Sequence, residues 1–526
     1  MTAGLATMLG VLWRTQRRAV FVWVVALIAG MVATAAAATG LYNTPAKIHT
    51  YVSAVTSGNA LVAINGRVEG IDSLGGVIQD EFGFLAAFLL PLLGISLVAR
   101  STRREEQAGR LETVLAGRLA RHTPTVAALL MAAAAITVTA ASFAVGLAVC
   151  GVPFAGAALY CASLGALAFV FAGLAALVAQ LTLHSRGVYT WGLIALAGAY
   201  VLRGVGDVTE TWLTWLSPLG WAEKAAPFGV QRWWALGIPL LVGLALGGAS
   251  VSLAARRDVG SALVRGAAGP AHASASLRRP LGLAVWTHRP ATLGWLAGSV
   301  LFAAMMGALA RQFLDAILGN QAMAEALGAT SARPLDGFVA VTQLYLAIIA
   351  CGYAIQTVGA LRDEEAEGRL ETRLAGTLSR RHWLATHGLV IVGGLVVIVV
   401  AGSLVFAVTT AASTGNGSLV ATTLGAGLAY LPAELVLAGL SFALFGLRPR
   451  LLSLAWAAFA FVAFVAFLGP SLRLPDWALD LAPTTHVGMP PQGSTEVLTL
   501  AVLSALALAL AGSCVVAFRA RDIPSA

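Results

Sequence analysis

The side chains able to do chemistry in this chain are scarce and unevenly placed. Only 11% of its 526 residues are charged and 58% are apolar, yet charge gathers in two eighteen-residue stretches. The first, from Glu105 to His122, reads EEQAGRLETVLAGRLARH; the second, from Glu364 to Arg381, reads EEAEGRLETRLAGTLSRR. Aligned without a gap they share Glu105/Glu364, Glu106/Glu365, Gly109/Gly368, Arg110/Arg369, Leu111/Leu370, Glu112/Glu371, Thr113/Thr372, Leu115/Leu374, Ala116/Ala375, Gly117/Gly376, Leu119/Leu378 and Arg121/Arg380. Carboxylates and guanidinium groups in this pattern suit ion pairing with another surface. Bond-making machinery is missing. A phosphate-binding loop needs Gly-Lys-Ser/Thr, and the two lysines stand in Ala-Lys47-Ile and Glu-Lys224-Ala. No nucleophile elbow or metalloprotease motif occurs either, so the chain is not an enzyme by itself. The four cysteines, Cys150, Cys161, Cys351 and Cys514, lack metal-ligand spacing and read as packing residues, with a meeting of Cys150 and Cys161 at one hairpin end as the alternative.

Leu111, Leu115 and Leu119 recur every four residues, as do Leu370, Leu374 and Leu378, which predicts a helix with one leucine face in each copy. Thr102, three residues before Glu105, offers a capping box. Glutamates at the start and Arg118 and Arg121 at the end would complement the helix dipole, each by roughly 0.3 to 1 kcal/mol. Such a helix is too short to cross a membrane and should lie at its inner face. A solvated connecting loop is the plain alternative for one copy, but duplication favours two equivalent surfaces for a symmetric partner. Glu105/Glu364 and Glu112/Glu371 would present carboxylates there, beside Glu106/Glu365. Arg110/Arg369 would offer bidentate guanidinium groups, and Gly109/Gly368 a place of close approach.

The elements holding these stretches are apolar. Mean hydropathy is +0.83 and apolar runs of about 20 residues recur along the whole chain, as in an all-α polytopic membrane protein. Leu5 to Arg18 reads as an amphipathic segment along the inner membrane surface. Spans follow at about 19–41, 83–99, 125–149, 155–183, a fifth ending near 204, and 235–255. Residues 260–280, rich in Ala, Gly and Ser, form a linker. The second half repeats the plan at about 291–310, 337–360, 386–413, 419–447, 451–468 and 496–518. The units are thus residues 1–258, a cytoplasmic linker 259–280, and residues 281–526, with six spans in each half. Arg519-Ala520-Arg521-Asp522 echoes Arg256-Arg257-Asp258.

Net charge is +9, and distributing the 33 Lys and Arg residues over this topology puts 25 on one side and 8 on the other. The positive-inside rule then places both termini in the cytoplasm and accounts for the basicity without nucleic acid. The outer segment 207–234 holds Trp212, Trp215, Trp221, Trp233 and Trp234 around Ser217-Pro218, a density suited to headgroup-level or re-entrant helices.

Taken together, Glu-Glu, Gly, Arg, a Glu three residues after the Gly and then Leu-Ala, between spans two and three of a six-span unit, resembles the coupling helix of ATP-binding-cassette (ABC) exporter permeases of the type V fold. The fused halves, the Leu-Ser-Pro-Leu-Gly-Trp run at Leu216 to Trp221 and its partner Leu481 to His486 are similar to those of single-chain permeases of actinobacterial polyketide-antibiotic exporters of the tetronasin type. The resemblance implies a plasma-membrane permease for efflux of amphiphilic small molecules, antibiotics and drugs among them. It also implies two copies of a separate cytoplasmic ABC ATPase that binds the ATP and Mg, no cofactor or metal on this chain, and an outer gate at Trp215, Pro218, Trp221 and Pro483. Ala-Pro-Thr-Thr-His in the second half, against Ser-Pro-Leu-Gly-Trp in the first, implies an asymmetric gate. Glu434 is the acidic residue placed well inside a span, where an ionised carboxyl costs roughly 2.5 to 3.5 kcal/mol. With Gln180 and Gln343 it marks a candidate substrate path, against the alternatives of a neutral carboxyl bonded to a carbonyl freed by Pro432 and of amides joining helices. A proton-coupled twelve-span secondary multidrug transporter is the rival reading, and a docking scaffold without transport a third.

Overall fold

The computed structural model describes residues 4–55, 62, 65–117, 119–264, 272–319, 333–472 and 475–522. Among these residues the chain is all helical, and twelve helices are long and apolar enough to cross a membrane. It divides into two compact units, Met1–Ala268 and Gly269–Ala526.

The first unit begins with α1 (Leu5–Leu41) and a short α2 (Pro45–Val55). Then come α3 (Leu74–Ser101), α4 (Arg103–Gln107), α5 (Arg110–Leu115), α6 (Thr123–Val149), α7 (Phe154–Leu181) and α8 (Ser185–Thr209). A 3-10 turn at Trp212–Leu216, the short α9 (Pro218–Glu223) and α10 (Gly237–Arg256) complete it. Two of these differ from the sequence reading. The amphipathic segment Leu5 to Arg18 is not a separate surface helix: it runs without a break into the first span, since α1 holds no proline and its hydrogen bonds continue through its glycines. The second span starts at Leu74, nine residues before the expected Gly83, because Ser73 caps it, its hydroxyl accepting from the Gly76 N–H at 3.0 Å. The expected hairpin at Pro153 is present, turned by left-handed Gly151.

The second unit contains α11 (Pro280–Gly319), α12 (Asp336–Ala366), α13 (Arg369–Leu374), α14 (Arg380–Thr414), α15 (Leu419–Leu428) and α16 (Leu431–Leu447). After these come α17 (Leu452–Leu472), α18 (Asp476–Leu479) and α19 (Val497–Ala520). The tenth span is interrupted at Ala429–Tyr430, where Pro432 cannot donate to a preceding carbonyl. All four cysteines are free thiols.

The cores are built from helix faces with small residues. A Cβ on Gly173 would lie 2.7 Å from the Gly243 carbonyl oxygen, and one on Gly439 would lie 2.8 Å from that of Ala507. In both units, then, a glycine lets the fourth span approach the backbone of the sixth, the close packing through which membrane helices associate.

Candidate functional site

Each copy of the repeat is a helix end, a left-handed glycine and a second short helix. In the first unit α3 bends at Thr102 into α4, which carries Glu105 and Glu106; Gly109, at φ 69°, reverses the chain into α5. In the second, α12 continues unbroken through Glu364 and Glu365, and Gly368, at φ 71°, leads into α13. The single helix expected across each stretch is therefore wrong. The leucines all follow the glycine, and a left-handed residue cannot lie inside a right-handed helix. Nor is Thr102 the cap of a capping box: its hydroxyl donates to the Val98 carbonyl at 2.7 Å. Close approach is not the role of Gly109, since a Cβ there would meet nothing within 4 Å; its backbone angle is what requires glycine. Arg118 lies outside the described residues.

The leucine face is turned inward in both copies. Leu111 is buried with Met8, Leu12, Ala127 and Met131, and Leu115 packs against that cluster. Leu370 is buried with Trp383, Phe445 and Phe518, with Leu374 and Leu378 against them. Glu112 and Glu371 stand exposed beside that face.

Several of the other charges are engaged within the chain. Arg110 forks onto Glu105, Nε to Oε2 at 2.7 Å and Nη2 to Oε1 at 2.9 Å, and this bond raises the guanidinium pKa further above its ordinary value. Arg369 reaches Glu364 at 3.2 Å and also pairs with Glu367, while Arg373 lies 2.5 Å from Glu364. Glu364, only 5% exposed, does not present its carboxylate as expected, because these arginines cover it. Glu106 and Glu365 are buried clamps. Glu106 accepts from Arg257 Nη1 at 2.8 Å and Nη2 at 3.0 Å, and from the Gly260 N–H at 2.7 Å; Arg103 Nη1 lies 3.0 Å away. Arg103, 1% exposed, also donates to the Ala179 and Ser261 carbonyls. Glu365 takes both Arg521 nitrogens at 2.6 Å, and the Arg521 guanidinium lies over the rings of Phe445 and Phe518. In each unit the second glutamate of the repeat thus holds the arginine that follows the last span. Sequence reading missed these partners, although the echo of Arg257 in Arg521 was the signal for them.

Gln180 joins this clamp. Its Oε1 accepts from Arg257 Nε at 3.1 Å and its Nε2 donates to the Ala176 carbonyl. Gln343 joins three spans in the second unit, donating to the Thr423 carbonyl at 2.8 Å and accepting from Ser403 Oγ at 3.2 Å. Glu434, in the first turn of α16, is 1% exposed and its Oε2 has no hydrogen-bond partner among the described residues. Sequence reading also missed His288 and His387, whose buried Nε2 and Nδ1 lie 2.9 Å apart. Where α11 uses His288 in this way, Gln16 of α1 donates to Ser101 at 3.0 Å.

At the other end of the first unit Trp215, Pro218 and Trp221 share one loop. Ser217 caps α9, Pro218 opens it, and Trp221 Nε1 donates to the Trp215 carbonyl at 2.7 Å. Pro483 follows the buried Ala482 in the corresponding loop, where His486 Nε2 lies 2.8 Å from the Asp480 carbonyl. Tryptophan and histidine thus reach the carbonyl six residues back in both loops, so the sequence difference preserves one backbone contact.

The comparisons with known proteins agree with the duplication. The family model described as "Multidrug efflux system permease Rv1217c, C-terminal domain" matches residues 5–255 and 277–519, one segment in each unit. The chain is 31% identical over 477 residues to the multidrug efflux system permease protein Rv1217c of Mycobacterium tuberculosis strain H37Rv, covering 90% of this chain and 86% of the relative. With twelve apolar helices, two copies of one helical plan and both matched segments in place, this multi-pass membrane chain belongs to the Rv1217c family of efflux permeases.

Proposed function

We propose that this chain is the permease subunit of an ATP-driven efflux system of the type V ABC class. It moves amphiphilic small molecules outward and is powered by two copies of a separate cytoplasmic ATPase that binds ATP and Mg. The observation that carries this reading is the duplicated helix–glycine–helix element. Its leucines anchor it to its own unit while Glu112 and Glu371 point away. One such surface per unit gives a symmetric ATPase pair two equivalent docking points. The relatives' name, multidrug efflux permease, supports the substrate class.

Force applied at α5 or α13 enters the unit by two routes. One is the leucine face; the other is the Glu106–Arg257 or Glu365–Arg521 clamp, which passes displacement to the last span. The repeats and both termini then lie in the cytoplasm, and the Trp215, Pro218 and Trp221 loop and Pro483 lie at the outer gate. Polar contacts for a substrate fall to Glu434 and Gln343.

The test is to purify the chain from its native membrane with its companions and assay substrate-stimulated ATP hydrolysis and efflux in vesicles. Glu112→Arg with Glu371→Arg should preserve folding and lower ATP-driven efflux at least tenfold. Unchanged efflux would remove the repeat from coupling. The unpartnered, buried Glu434 favours a second reading, a proton-coupled carrier; efflux driven by a proton gradient without any ATPase would establish it.

A further inference from the structure

The end of the first unit opposite the repeat encloses a chamber that the coupling reading does not use. It is walled by α3, α7, α8 and α9 and lined by Gln79, Tyr160, Tyr200, Arg203 and Glu223 among others. Its volume is about 40 Å³. A water needs roughly 10–15 Å³ on this measure, so the chamber holds a group the size of a few waters and excludes a drug-sized molecule. Two of its polar atoms lack partners among the described residues: Tyr160 Oη, on a residue 3% exposed, and Gln79 Oε1, on one 7% exposed. Buried polar atoms left unpaired are costly, so their retention in the wall points to an occupant.

Charge selects the kind of occupant. Arg203 lies 3.2 Å from Glu223 and 3.9 Å from Asp207, with its guanidinium 5.0 Å from the Tyr200 ring centre. Asp80 stands behind, accepting from Tyr51 at 2.7 Å. Among the described residues two carboxyl groups, Glu223 and Asp207, thus share one guanidinium, and Glu223 lines the chamber. Gly66 closes it over the ion pair; a Cβ there would come 2.7 Å from Glu223 Cδ. Burial pushes the Glu223 carboxyl above the usual carboxylate range, while Arg203 opposes that shift. The second unit does not repeat the lining. Continuing the repeat's register back along the preceding helix puts Phe338 and Val339 where the first unit has Gln79 and Asp80.

We propose that this chamber binds a primary ammonium group, its three N–H donors directed to Tyr160 Oη, Gln79 Oε1 and the Glu223 carboxyl, where the cation takes the place of the carboxyl proton. Three acceptors match three donors on one small cation, whereas a divalent metal requires six or more oxygen ligands. The aromatic wall adds attraction for a cation. The ammonium comes either from an ethanolamine lipid headgroup or from a soluble amine, and the chemistry is shared. This site stands apart from ATP coupling and survives if that reading fails.

The test titrates the purified full-length chain with ethylammonium chloride at fixed ionic strength, against sodium chloride and tetramethylammonium chloride. The readouts are thermal stability and tryptophan fluorescence. A saturable rise in Tm with ethylammonium alone is expected. Tyr160→Phe and Gln79→Leu each remove a buried oxygen without a partner among the described residues, so both should still fold in the absence of amine. Each should weaken the ethylammonium response at least tenfold. An equal response to sodium or tetramethylammonium, no response at all, or one that survives both substitutions would overturn the proposal. In nanodiscs, competition by ethanolamine lipids against glycerol-headed lipids would assign the lipid source, and its absence the soluble amine.

Discussion

The two clamps hold the same connection with different means. Around Glu106 gather two arginines, a backbone N–H and, through Arg257, Gln180. Around Glu365 there is one arginine, forked onto both oxygens and lying over two aromatic rings. The first clamp satisfies a second buried cation, Arg103, whose counterpart in the repeat's register, Arg362, is exposed. The chain above it bends at Thr102, while α12 runs straight. What duplication preserves is therefore the tie between the repeat and the last span, and the surrounding polar groups have been free to change.

The comparison can be broken first at the glutamates. Glu106→Ala leaves Arg103 and Arg257 facing each other without a carboxylate and should cost about 3–5 kcal/mol, the cost of breaking a buried pair. Glu365→Ala, with Arg521 still over Phe445 and Phe518, should fall at the low end, roughly 3 kcal/mol. Thermal denaturation in detergent measures the order; a larger loss for Glu365→Ala would reverse the assignment of the stronger clamp. The glycines sharpen what is shared. Gly109→Ala and Gly368→Ala should each cost about 1–2 kcal/mol for placing a side chain in the left-handed region, equally in both units. A marked inequality in their Tm values would show that the two turns are not equivalent. The smallest effect belongs to the outer pairs. Arg110→Gln should cost less than about 1 kcal/mol because the guanidinium is 59% exposed. Arg369→Gln should match it, since Arg373 remains on Glu364; a loss of several degrees in either would mean that the pair bears more than a surface ion pair does.

The spans were legible because a helix crossing hydrocarbon must be long and apolar, and both properties can be read along the chain. Hairpin boundaries such as Gly151-Pro153 were legible too, from residues whose backbone preferences are strong. The repeat was visible as charge, but its shape was not. The leucines four apart all follow Gly109, so their period fits a helix that starts before the glycine as well as one that starts after it, and only the backbone angle separates the two cases. Charge density also misled at Glu106 and Glu365, which look solvent-bound in sequence and are buried. Their partners stand 151 and 156 residues further along, beyond any local pattern. Arginines at positions 14, 17 and 18 suggested a surface helix where an unbroken helical register prevailed.

The first clamp has one more consequence, concerning where the polypeptide can be cut. Arg257 and Gly260 are fastened to Glu106, and the Leu263 and Val264 N–H groups donate to the Gln180 and Leu181 carbonyls. The first unit is therefore stitched shut before residue 265, and the second opens its own helices at Pro280. A stop codon after Val264 and a new start before Ser274 would sever no contact described in either unit. One gene could in this way become two, each product closing on itself.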